Sequence, residues 1–96
     1  GSSVPWIVHG YNNNEQILRQ LLNHGLYISV GAALLDSRSN AFRLLRMIPA
    51  ERLFLENDDK EVEISVIYEA ASAIFEVDVE VLKEITRNNY NKVFGK

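Results

Sequence analysis

The chain has 96 residues, 47% of them apolar, with ten basic and thirteen acidic side chains and a net charge of −3. Such a chain is one ordinary globular domain, which excludes a disordered segment, and its mild acidity excludes bulk attraction to a phosphate backbone. With no cysteine there is neither a disulfide framework nor a thiolate zinc site, and no apolar run approaches the roughly 20 residues of a membrane helix.

Gly1-Ser2-Ser3 reads as a cloning remnant, so residues 4–96 form the expected domain. Val4 to Val8 is extended and apolar, and Pro5 is tolerable where a strand begins. His9 follows at the strand's carboxyl end. Trp6 is expected in the core. Tyr11-Asn12-Asn13-Asn14 is turn material, and Asn14 suits a helix N-cap. Glu15 to His24 repeats apolar residues at helical spacing (Ile17, Leu18, Leu21, Leu22), and Gly25 stands where a helix-ending glycine belongs. His24 needs no role beyond complementing the helix dipole.

Leu26 to Val30 is a second strand. The small run Gly31-Ala32-Ala33 after it lets the backbone approach a ligand or another segment. Asp36 to Asn40 is a loop with a cap at Ser39 or Asn40, and Ala41 to Met47 is the next helix. Pro49 ends that pattern, because proline disfavours helix in the residue before it. Arg52 to Leu55 is a short apolar run of strand length, with Leu55 expected to be buried, and the third strand extends to Glu56.

Acidic groups follow at once: Glu56, Asp58 and Asp59. Glu63 to Phe75 is a helix with Ile64, Ile67, Tyr68, Ala71, Ile74 and Phe75 on one broad face. Asp78 is placed to cap a last helix running to about Val93. The order β-α-β-α-β-α-α with short loops implies an α/β fold of three parallel strands with about four helices. In such folds chemistry gathers at the carboxyl ends of the strands, where His9, Glu56 and Asp58 stand.

Four stretches resemble, in order, motifs of the TatD family of metal-dependent hydrolases. His9-Gly10-Tyr11 resembles a His-x-Phe motif. Gly25-Leu26-Tyr27-Ile28-Ser29 resembles a Gly-x-Tyr-Ile-Ser segment. Pro49 to Asp58 resembles a Pro-x-x-Arg-Leu-Leu-x-Glu-Thr-Asp block, with Asn57 in place of the threonine. Asn89-Tyr90-Asn91-Lys92-Val93-Phe94 resembles a closing Asn-Phe-x-x-Leu-Phe. The family's earlier His-x-His pair, bridging glutamate and further histidine have no counterpart here, and a complete (β/α)8 barrel needs roughly 250 residues. The chain thus resembles the C-terminal half of a TIM-type (β/α)8 barrel.

The resemblance implies metal-dependent cleavage of phosphodiester bonds in DNA, as a deoxyribonuclease using a divalent metal (Mg, Mn or Zn). It gives His9 and Asp58 as metal ligands, Asp58 also as the catalytic group that orients water, and Glu56 as support behind them. The implied partner is the N-terminal half of the barrel, without which near-inactivity is expected, in a cytoplasmic location. The competing expectation is a non-catalytic half-barrel that self-associates as a homo-oligomer through open sheet edges. On residue type alone, His9 also suits a structural hydrogen-bonder and Asp58 a solvated loop. Arg38, Arg43, Arg46 and Arg52 suit a solvated face better than phosphate contacts. The last two helices share the layout of a helix-turn-helix reader, with Lys83, Arg87, Asn88, Asn89 and Lys92 on the second.

Overall fold

The computed structural model describes residues 6–95. Gly1-Ser2-Ser3, and Val4 and Pro5 of the expected first strand, lie outside the described residues. The elements run β1 (Ile7–Val8), α1 (Glu15–Asn23), β2 (Tyr27–Val30), α2 (Asn40–Leu44), β3 (Leu53–Leu55), α3 (Ile64–Phe75) and α4 (Val79–Phe94). Short 3-10 turns at Ala32–Leu35, Leu45–Met47 and Ala50–Arg52 join them.

Local chemistry explains the helix ends. The Asn14 side-chain oxygen accepts the Ile17 N–H at 2.9 Å and starts α1. Gly25, at φ +80°, turns the chain out of α1 in a left-handed conformation that glycine adopts without penalty. Ser39 rather than Asn40 caps α2, its hydroxyl accepting the Phe42 N–H at 3.0 Å. Asp78 occupies the N-cap position of α4 but makes no side-chain capping bond. The expected helix from Ala41 to Met47 is instead a five-residue α-helix that tightens into a 3-10 turn at Leu45.

The three strands are parallel and lie in the order β1-β2-β3. Each crossover therefore steps to the next strand in the same direction. That is the progression of a barrel wall, whereas a doubly wound sheet reverses its strand order at a switch point. Register pairs Ile7 with Tyr27 and Val8 with Ile28, then Ile28 with Leu53, Ser29 with Phe54 and Val30 with Leu55. Every residue of β2 is buried, as expected for a strand covered on both sides.

Alternation separates the two faces of this sheet. Ile28, Val30 and Leu53 share one face and are fully buried in a core with Leu18, Leu34, Leu45, Ile67 and Leu82. Ile7, Tyr27, Ser29 and Phe54 share the other face, and its period continues to His9 and Glu56. Asn89 on α4 is 1% exposed, and its Nδ2 donates to the carbonyls of Ala50 and Leu53 at 2.8 Å each. It ties the last helix to the third strand. That use of Asn89 leaves α4 packed on the sheet, unlike the projecting helix of a helix-turn-helix reader.

Three expectations are corrected. Trp6 is 76% exposed; its carbonyl accepts the Tyr27 N–H at 2.8 Å, so the backbone extends the ladder while the ring stays outside the core. Leu55 is only half-buried, because β3 lies at the edge of the sheet. Arg52 is not a solvated cation. Its guanidinium donates to the carbonyls of Leu26 (3.2 Å) and Leu22 (3.4 Å) at the end of α1 and lies 5.5 Å from the Tyr27 ring centre. Among the described residues no helix is long and apolar enough to cross a membrane.

Candidate functional site

Parallel strands deliver their carboxyl ends to one rim, and three loops meet there. Glu56, directly after β3, is the hub. Its Oε1 accepts from His9 Nδ1 at 2.8 Å and from the Ser29 hydroxyl at 2.7 Å, and its Oε2 accepts the Gly10 N–H at 2.6 Å. One carboxylate thus joins all three strands. Its own N–H donates to Val30 O at 3.0 Å, which carries the β2–β3 ladder one residue past the strand.

The His9 tautomer follows from this contact. A carboxylate oxygen accepts only, so Nδ1 carries a proton in this contact, and in the neutral ring Nε2 is then the nitrogen with the lone pair. His9 is 71% exposed and Glu56 23%. The imidazole therefore stands in solvent on a fixed base with its free nitrogen available. A metal-ligating histidine is commonly oriented in this way, by a carboxylate on its other nitrogen.

Asp58 lies beside this group. Its Oδ1 accepts the Ala32 N–H at 2.8 Å. The point where a side chain on Gly10 would begin is 3.7 Å from both Asp58 Oδ2 and Glu56 Oε2, so the two carboxylates flank Gly10. Gly10 has φ +59°, a left-handed turn that brings its N–H onto Glu56. Asn57 and Asp59 serve the loop itself: Asn57 Oδ1 accepts the Asp59 N–H at 3.2 Å and Asp59 Oδ1 accepts the Glu61 N–H at 2.9 Å.

Tyr11 anchors the first loop from below. It is 1% exposed, its N–H donates to Ser29 O at 3.0 Å and its hydroxyl to Asn14 O at 2.6 Å. Burial pushes its phenol above the ordinary tyrosine value, and the Leu18 backbone opposes this more weakly. Asn12 Oδ1 accepts the Ala41 N–H at 2.9 Å, fixing the same loop to α2. Away from the rim, His24 Nδ1 donates to Gln20 O at 2.7 Å and closes the end of α1, the helix-terminal role read from its position.

The structure therefore brings Glu56 onto His9 and sets Asp58 across Gly10 from Glu56. Among the described residues no cluster of three or more His, Asp or Glu side chains is arranged to hold a metal ion. Ser29, which the sequence offered equally as a substrate contact or as strand alternation, donates to Glu56, and the backbone N–H groups of Gly10 and Ala32 are partners that the sequence did not single out. Only the run of small residues after β2 hinted that something would pack closely there.

Residues 1–95 match the family model described as TatD related DNase. The chain belongs to that family. It is 31% identical over 58 residues, 60% of its own length, to the protein named Deoxyribonuclease Tat-D of Schizosaccharomyces pombe, and this covers 18% of that protein. Its fold is shared with the crystal structure of a hydrolase TatD family protein from Entamoeba histolytica, at a TM-score of 0.76 and 22% identity. That likeness covers 94% of this chain and 42% of the Entamoeba chain. The TatD-family chain thus spans less than half the length of either relative, and its three strands correspond to part of a TIM-type barrel.

Proposed function

We propose that this chain supplies the C-terminal, ligand-bearing half of a metal-dependent deoxyribonuclease of the TatD type. The observation that supports the reading is Glu56, after the third strand, holding the exposed His9 imidazole by Nδ1, with Asp58 on the other side of Gly10 from Glu56. The donor set suits a divalent ion such as Mg, Mn or Zn: one imidazole nitrogen and one carboxylate oxygen, Asp58 Oδ2, that accepts no hydrogen bond among the described residues. When bound, such an ion neutralises charge at a phosphoryl oxygen and lowers the pKa of a water. His9 and Asp58 would hold it, Asp58 would also accept a hydrogen bond from the attacking water, and Glu56 would keep His9 in its tautomer and orientation.

Two protein ligands hold an ion poorly, since catalytic sites use about three plus water. On this reading the chain alone is close to inactive, and the remaining ligands come from an N-terminal half. The sheet supports that partner. β3 pairs on one side only among the described strands. Beside it lies a groove of about 430 Å³ lined by Phe54, Leu55, Tyr68, Thr86 and Tyr90 with the cations Lys83 and Arg87, where a further segment would pack. The reading includes a reducing cytoplasm, where a fold without disulfides is at no disadvantage.

The test is release of nucleotides from single-stranded DNA with magnesium or manganese, with and without the N-terminal half of a TatD barrel supplied as a second chain. Activity only with both halves is expected. Robust turnover by the 96-residue chain alone would overturn the split-site reading.

A second reading rests on the same open edges. Tyr90, Phe94 and Val81 leave much of their apolar surface in solvent. A copy of the chain could bury them by pairing its β1 against β3, giving a non-catalytic assembly. Sedimentation separates the two: a concentration-dependent homo-oligomer that excludes the N-terminal half favours the second.

A further inference from the structure

We infer that Gly31 and Ala32 form a backbone seat for Asp58 and act as positioning residues for it. The inference deepens the metal reading and rests on it for the functional role of Asp58, though not for the seat itself. Two independent features of the loop after β2 meet on this carboxylate. Ala32 donates its N–H to Asp58 Oδ1 at 2.8 Å. A Cβ placed on Gly31 would overlap Oδ1, Cγ and Oδ2 of Asp58 at once, closer than real Cβ atoms come.

The observation at Gly31 that concerns Asp58 is one of space: a Cβ there meets the carboxylate. The carboxylate lies flat against the bare Cα, with Oδ1 tied to Ala32 and Oδ2 left free. Without the seat, Asp58 sits on a loop whose neighbours Asn57 and Asp59, among the described residues, hydrogen-bond through their side chains within that loop. The seat links the loop after β3 to the loop after β2, so it fixes Asp58 relative to the Glu56–His9 pair. A displacement of about 1 Å at such a group is costly, because ligation and water orientation both depend on its placement.

Asp58 is exposed and its carboxylate can swing clear of a Cβ on Gly31, but that movement takes Oδ1 off the Ala32 N–H. Gly31→Ala is therefore expected to move Asp58 while leaving the sheet, whose core lies on the far side of β2, in place. Ala32→Pro removes the donor without adding a Cβ at position 31. Proline suits the first position of a helical turn, so the backbone path can persist. Ala32→Gly keeps the donor and serves as the control.

The test combines NMR of the 96-residue chain with urea melts. Without metal, Asp58→Ala should shift the Ala32 amide proton upfield and speed its exchange with solvent; an unchanged Ala32 amide overturns the seat. Manganese is then titrated and broadening of the His9 ring and of the Gly10 and Ala32 amides is followed. Gly31→Ala and Ala32→Pro should weaken manganese about tenfold or more, while Ala32→Gly keeps parental affinity. Parental affinity in Gly31→Ala, or an Ala32→Gly loss as large as that of Ala32→Pro, overturns the positioning role. If the parent chain shows no broadening at His9 at any manganese concentration, the metal reading fails, while the Ala32 amide still decides the seat.

Discussion

Replacing Asn89 tests how the last helix is held to the sheet. Its Nδ2 uses both protons, one on the buried Leu53 carbonyl and one on the half-buried Ala50 carbonyl. Asn89→Ala strands both acceptors. A buried carbonyl without a partner costs about 1–3 kcal/mol, and a half-buried one that can recruit water costs about 0.5–1 kcal/mol. The sum is about 1.5–4 kcal/mol. A domain of this length has roughly 5–14 kcal/mol of stability in total, so the loss is a large fraction of it. At a urea m-value of about 1–1.5 kcal/mol per M, the midpoint should fall by about 1–4 M. Asn89→Asp should be worse than alanine, because it turns acceptor oxygens toward two carbonyls and removes the donor. Urea melts followed by circular dichroism measure both. A midpoint within about 0.5 M of the parent for Asn89→Ala, or an aspartate variant no worse than alanine, would refute the tie between α4 and β3.

Further outcomes follow from the same packing. Leu53→Asp, at a fully buried position, should cost about 3–5 kcal/mol, whereas Asp58→Ala should cost less than about 1 kcal/mol; equal losses in urea would overturn the placement of β3. Tyr11 carries a phenol raised by burial, so its contribution to stability is complete below the unfolded value of about pH 10 and is lost as pH rises from there through the folded value. Between pH 9 and 11 the parent should therefore lose more stability than Tyr11→Phe, and parallel losses would contradict the burial of that hydroxyl. At millimolar concentration the chain alone should not remain a compact monomer, because both outer edges of its sheet lack a partner among the described strands; sedimentation showing such a monomer would contradict this.

The residues that made the fold legible were those whose chemistry is local. Asn14, Gly25 and Ser39 end or begin helices through contacts within a few positions, so a linear reading finds them. The 3-10 turns at Ala32–Leu35, Leu45–Met47 and Ala50–Arg52 are too short for a period of three to be told from 3.6. Arg52 and Trp6 differ from expectation because their surroundings are set by packing: the half-buried Arg52 is held by the Leu22 and Leu26 carbonyls, and Trp6 precedes the paired residues of β1. At the rim, the residue types and the family motif pointed to His9, Glu56 and Asp58. The contacts that assemble them depend on strand register, as does the seat that Gly31 and Ala32 give Asp58, and register is invisible in a single sequence.

The central claim is that His9 and Asp58 are the ligands this half contributes. It is tested most directly by single substitutions in the two-chain assembly with the N-terminal half of a TatD barrel. Metal-dependent nucleotide release from single-stranded DNA should be abolished by His9→Ala and by Asp58→Ala, and should persist in Asp59→Ala, whose carboxylate serves only its own loop. Restored hydrolysis that survives both His9→Ala and Asp58→Ala, or a 96-residue chain that turns over DNA by itself until a chelator is added, would contradict it.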